Sequence, residues 1–195
     1  MASELGVRER KKLAARTALT ESALKLFRES GFDETTVNDI AQLASMSPRT
    51  FFRYFDTKED VVFQDAPRHL DALRRLLRNR SAGESNSVAL RAALISFSEV
   101  LEQEREELQL RAQLSRAART LAERAAIELQ NWRLALTEEL MQRGGDRDHT
   151  RCHLLAGAGV HVLTVAITLR SDGERTLPEL TDHCWQQLTE VVGST

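Results

Sequence analysis

Residues 47–55 read SPRTFFRYF, and they hold four of the ten aromatic side chains of a 195-residue chain, with two arginines set among them. Arginine forks onto a guanine edge or a phosphate, hydroxyls reach phosphate oxygens, and aromatic rings meet thymine methyls. Ser47 suits a helix cap, and Pro48 suits the first helical position, where no amide hydrogen is needed. On a helix turning about 100° per residue, Phe51 and Phe55 share one face as core anchors. Arg49 and Arg53 project from the opposite face, Thr50 and Phe52 flank it, and Tyr54 lies at its boundary. The chemistry these residues suggest is contact with duplex DNA. Either arginine alone reads at least as well as a solvated charge, so the reading depends on the neighbouring elements.

Those elements agree with it. A first helix runs to about Ser30 with Leu19, Ala23, Leu26 and Phe27 on one stripe, and Gly31 stops it. Thr36 is an N-cap with Asp39 in capping-box position, and Val37, Ile40, Ala41 and Ala44 give the short helix behind it a buried face. The polar turn Ser45-Met46-Ser47 leads into the aromatic helix, so the spacing predicts helix-turn-helix geometry. Thr57, with Asp60 in box position, begins a further helix and puts Lys58 beside the reading helix. The segment RERKKLAAR at 8–16 carries five basic residues against one acid and suits the tracking of phosphates.

The stretch ESALKLFRESGFDETTVNDIAQLASMSPRTFFRYFDTKEDVV resembles the DNA-binding domain of the tetracycline-repressor (TetR) family of bacterial transcriptional regulators. The matching pieces are A-x-x-L-F-x-x-x-G-F at 23–32, T-T-V-x-x-I-A at 35–41 and S-x-x-T-F-F-x-Y-F-x-x-K-E-D at 47–60. The resemblance implies that Thr36 and Lys58 contact phosphates and that Arg49, Thr50, Phe52 and Tyr54 meet the major groove. Phe52 stands where the family often has tyrosine, so a phosphate hydrogen bond is lost there and ring contact remains.

Composition bounds the rest. A net charge of −2 advertises no polyanion partner, so any nucleic-acid site is a local patch. Two cysteines, Cys152 and Cys184, are too few for a secreted disulfide scaffold and match no metal motif; buried free thiols are expected. The N-terminus lacks an apolar signal run, and the longest apolar run, residues 154–169, falls short of a bilayer span of roughly 20 residues. A cytoplasmic protein with no membrane partner is expected. No phosphate loop, nucleophile elbow or zinc motif occurs, so neither an enzyme nor a cofactor or metal site is expected.

The expected fold is all-α: residues 1–62 as a three-helix helix-turn-helix domain and 63–195 as a helical ligand-binding and dimerisation bundle. Pro67 kinks or splits the helix that starts near Thr57, with Asp65 as a candidate cap. SAGESNS at 81–87 is a linker. The glycine- and proline-free span from Val88 to Met141 is too long for one helix and needs breaks near 103–107 and 115–123. Gly144-Gly145-Asp146 ends this bundle.

The almost uniformly apolar segment 148–170, with AGAG at 156–159, and the helix 178–192 are candidate dimer seams. Gly157, Gly159, Cys184, Trp185 and Leu188 are the expected contacts. The resemblance further implies a homodimer on an operator and a small-molecule pocket. Phe97, Leu101, Trp132 and His161 are candidates to line it, though each also suits plain core. A small apolar or amphipathic effector is expected; the same pattern is similar to relatives that respond to acyl-coenzyme A thioesters, which makes an acyl-coenzyme A or another amphipathic metabolite a candidate. Arg91, Arg111, Arg116 and Arg119 suit a phosphate-rich ligand and solvated faces equally. The alternatives are a helix-turn-helix module that binds protein, or a DNA-binding regulator without an effector.

Overall fold

The computed structural model describes residues 6–143, 148–170 and 175–193, which leaves the expected loop at 144–146 outside the described residues. Its regular elements are ten α-helices, with no strand among the described residues. The chain divides into two compact units: residues 1–64 with 114–121, and residues 65–113 with 122–195.

The first unit is built from α1 (Val7–Ser30), α2 (Val37–Leu43), α3 (Pro48–Phe52) and α4 (Lys58–Phe63). Helix α1 buries Leu19, Ala23, Leu24 and Phe27, and Leu26 is only half-buried. It ends at Gly31, whose amide returns to the Phe27 carbonyl at 3.1 Å with φ of 87°. That backbone geometry strongly favours a residue without a Cβ. Capping boxes at Thr36/Asp39 and Thr57/Asp60 start α2 and α4 as the spacing predicts. Leu114, Ala118 and Leu121, buried within the segment 114–121, also belong to this unit.

In the second unit α5 (Ala66–Arg78), α6 (Asn86–Glu102), α9 (His149–Leu169) and α10 (Leu177–Gly193) pack around a shared core, with α7 (Arg105–Ala117) and α8 (Arg119–Gln142) completing the set. The helix beginning at Thr57 is split, not kinked: α4 ends at Phe63, and α5 restarts at Ala66 with Pro67 in its first turn. Asp65 makes no side-chain cap; its carboxylate instead pairs with Arg111 at 2.8 Å. The breaks required inside 88–141 fall at 103–104 and at Ala118.

Ion pairs tie this unit together, one of them on a buried carboxylate. Glu139, 2% exposed, accepts from Arg74 at 2.7 Å and from Arg78 Nε at 2.6 Å. Glu102 holds Arg170 at 2.6 Å and the Leu177 amide at 2.6 Å, joining the end of α9 to the start of α10.

Helix α9, 21 residues long with an 18-residue stretch of mean hydropathy 1.8, is longer than the apolar run suggests, and by length and composition it could cross a membrane. In this fold Cys152, Ala156, Gly159, Leu163 and Ala166 turn one face of it into the core. Leu154, His161 and Leu169 are exposed on the other face.

Candidate nucleic-acid interface

Local chemistry sets the reading helix. The Ser47 hydroxyl accepts the Thr50 amide hydrogen at 3.2 Å, and Pro48 opens the turn. Three backbone bonds close the preceding turn: Ala44 to Ile40, Ser45 to Gln42 and Met46 to Ala41. Ser45 takes φ of 55°, a left-handed conformation that L residues adopt at a cost. Helix α3 proper ends at Phe52, shorter than the nine-residue stretch suggests. The amides of Tyr54 and Phe55 still return to Phe51 at 2.8 and 3.0 Å, so the face relationships persist to Phe55.

Phe51 and Phe55 are 0% and 2% exposed, with ring centroids 5.4 Å apart. The Arg16 guanidinium covers Phe55 at 5.1 Å while its Nε donates to Gln64 at 3.1 Å. The expected outer residues do reach solvent: Arg49 and Arg53 are exposed, Phe52 is 55% exposed, and Thr50 and Tyr54 are half-buried. The Phe52 ring stands edge-on to Phe51 at 5.6 Å, which fixes its direction without burying it. Arg53 lies 4.9 Å over the Tyr54 ring and donates to its hydroxyl at 3.1 Å.

Arg53 and Tyr54 share an open cleft of about 390 Å³ with Arg8, Lys11, Lys12 and Ala15. Four cations and a phenol around one concavity suit a phosphate backbone. The basic segment was legible in the sequence. Its convergence on Arg53 and Tyr54, some 40 positions along the chain, was not.

Two expected phosphate contacts are engaged internally. Lys58 Nζ donates to the carbonyls of Phe32 at 2.7 Å, Thr35 at 3.1 Å and Asp33 at 3.3 Å, and lies 4.3 Å over the Phe32 ring. All three ammonium hydrogens are used, so in this geometry Lys58 is a tie for the α1–α2 loop. Thr36 is exposed at the start of α2, and its hydroxyl donates to Asp39 at 2.6 Å. Bonds from the Thr36 hydroxyl and amide hold the Asp39 carboxyl below its usual range.

The residues expected to line a pocket separate. Phe97 and Leu101 are closed into the core; Phe97 meets Trp132 at 5.8 Å and His69 at 6.1 Å between ring centroids, and Trp132 is half-buried. His161 is exposed on the outer face of α9 and lines no interior, a correction that periodicity on an all-apolar helix could not supply. The expected seam residues also divide. A Cβ on Gly159 would meet Leu90 Cδ2 at 2.9 Å, so this glycine admits α6 of its own chain. Trp185, 5% exposed, likewise sits in its own core, against which the half-buried Cys184 and Leu188 pack. Gly157 is half-exposed beside Arg133. Among the described residues no group of three or more His, Cys, Asp or Glu is placed to hold a metal ion.

Residues 19–64, which span this helix-turn-helix, match the family model for bacterial regulatory proteins of the tetR family. Residues 19–64 are thus a DNA-binding domain of the TetR type. TcmR, an HTH-type transcriptional regulator of Streptomyces glaucescens, is 39% identical over 88 residues, 45% of this chain and 39% of that protein. MftR of Mycobacterium tuberculosis, a putative mycofactocin biosynthesis transcriptional regulator, is 38% identical over 79 residues, 40% of each chain. The chain thus spans about two fifths of the length of these curated relatives.

Among solved structures, Thermus thermophilus FadR, a TetR-family repressor in complex with lauroyl-CoA, matches 90% of this chain and 93% of its own at 25% identity and a TM-score of 0.58. Bacillus halodurans FadR matches 89% and 94% at 20% identity and a TM-score of 0.62, which supports the same all-helical TetR fold.

Proposed function

We propose that this TetR-family chain is a transcriptional repressor that binds a pseudo-palindromic operator as a homodimer and releases it when an amphipathic effector binds the helical domain after residue 62. The observation that carries the reading is α3. Two buried phenylalanines pin it from one side, and Arg49, Phe52 and Arg53 are exposed on the other. A groove-reading helix needs this division, because side chains that reach base edges must be presented by a backbone that does not move. Thr50 and Tyr54 supply hydroxyls at the edge of the same face, and Arg8, Lys11 and Lys12 extend the cationic surface beside it.

Dimerisation is supported by the outer face of α9. Leu154 is 67% exposed, and Ala158, His161, Val165 and Leu169 fall on the same stripe. A second copy would cover this face, and a two-fold dimer that reads a pseudo-palindrome needs its two α3 helices about 34 Å apart, one turn of DNA. The acyl-coenzyme A class of effector is supported by the lauroyl-CoA complex of Thermus thermophilus FadR.

The test is a gel-shift of the chain on the DNA upstream of its own gene, with and without lauroyl-CoA. A retarded band that lauroyl-CoA abolishes is expected. Binding that no acyl thioester alters would leave the repressor and remove the effector, and no binding to any upstream fragment would remove both.

A further inference from the structure

Two histidines outside the proposed DNA and effector sites stand one helical turn apart at the start of α9. The rings of His149 and His153 are stacked, with centroids 5.9 Å apart and planes within 10° of parallel. This i, i+4 spacing lets two imidazoles on one helix share a metal ion, as in the H-E-x-x-H arrangement.

The second observation concerns Thr137 on α8, which is 3% exposed. Its hydroxyl donates to the Arg133 carbonyl at 2.7 Å, so its hydrogen is spent. Toward His153 Nδ1, at 3.4 Å, the same oxygen can only accept. In the neutral ring Nδ1 of His153 then carries the hydrogen, which leaves the lone pair on Nε2. Metal-ligating histidines are held by such a bond from the ring nitrogen that does not ligate.

We propose that His149 and His153 form a two-histidine site for a late first-row divalent ion, with Cu²⁺ tightest and Ni²⁺ and Zn²⁺ weaker, bound through the Nε2 atoms. Imidazole donors without a carboxylate favour these ions over Mg²⁺ or Ca²⁺. Asp148 does not complete the set, because its carboxylate caps α9 by accepting from the Thr150 and Arg151 amides. Water or an external ligand fills the remaining positions. Metal–nitrogen distances of about 2.0–2.1 Å require the stacked rings to lean together. His149 is exposed and can do so, while Thr137 holds His153 in place.

The test is titration of the full chain with Cu²⁺, followed by calorimetry and electron paramagnetic resonance. One ion per chain is expected, with hyperfine structure from two equatorial nitrogens. H149Q or H153Q should weaken binding at least about tenfold and leave at most one of these nitrogens, and both retain the fold by circular dichroism because neither ring is buried. T137V should weaken binding about 10–100-fold with the two-nitrogen spectrum intact, the signature of a positioning residue. Unaltered Cu²⁺ affinity in the H149Q/H153Q double variant would place the ion at His69, His161 or His183 and overturn the proposal. A single-nitrogen spectrum of the unsubstituted chain would overturn it equally.

Discussion

Lys58 Nζ sits 2.7 Å from the Phe32 carbonyl and 4.3 Å from the centre of the Phe32 ring, so one side chain near the start of α4 closes the loop that follows α1. The ammonium meets three carbonyls of this loop, and the ring face adds a cation–π contact. Replacing Lys58 with alanine should destabilise the first unit by about 1–2 kcal/mol, the usual net worth of a half-exposed charged hydrogen-bond set. Thermal unfolding measures it. The slope of DNA affinity against salt should hardly change; a slope lower by one charge with an unaltered melting temperature would restore Lys58 to the phosphates.

Arg49 and Arg53 are exposed, and R49A should cost about 1–3 kcal/mol of operator binding and relax preference at one base position per half-site. Arg53 is committed to Tyr54 and the cationic cleft, so R53A should weaken all sequences alike and lower the salt slope by about one. A panel of operators with single base changes, titrated at several salt concentrations, separates the two behaviours. Near-normal affinity in the double variant would refute the interface.

The legible parts of this chain are those governed by neighbours three or four residues away. The boxes at Thr36/Asp39 and Thr57/Asp60, the Ser47–Pro48 start and the Gly31 stop all form where their spacing places them, because each cap bonds within its own turn. Lys58 escaped because its partners lie 23 to 26 positions away. Helix α9 escaped for another reason. Apolar residues all round it give no moment to say which side faces its own core, so Gly159 and His161 exchanged the roles expected of them.

That exchange separates stability from assembly. G159A should be destabilising by about 1–3 kcal/mol, because its Cβ would lie 2.9 Å from Leu90 Cδ2 and 3.3 Å from Leu94 Cδ1 in a filled core. The oligomeric state should not change. L154E, on the exposed face, should leave the melting temperature of the folded chain nearly unaltered while shifting a dimer toward monomers. Light scattering at several concentrations decides; a dimer that survives L154E would move the seam off this face.

Acid should loosen the second unit through Glu139. Burial alone would raise the pKa of this carboxyl, but the bonds from Arg78 and Arg74 outweigh burial and hold it below the ordinary value of 4.5. A depressed folded pKa means that the unfolded chain takes up the proton first. The stabilisation is therefore complete above about pH 4.5 and is lost as the pH falls through the lower folded value. At neutral pH, E139Q should cost about 2 kcal/mol, since it removes a charge that satisfies two arginines, each still partly in solvent. Glu102 and Glu104, also depressed by their arginine partners, keep an acid limb in the variant. Urea unfolding from pH 3 to 7 should show the gap between the two proteins closing toward the acid end. A gap that is constant with pH would mean that Glu139 acts through packing and not through its charge.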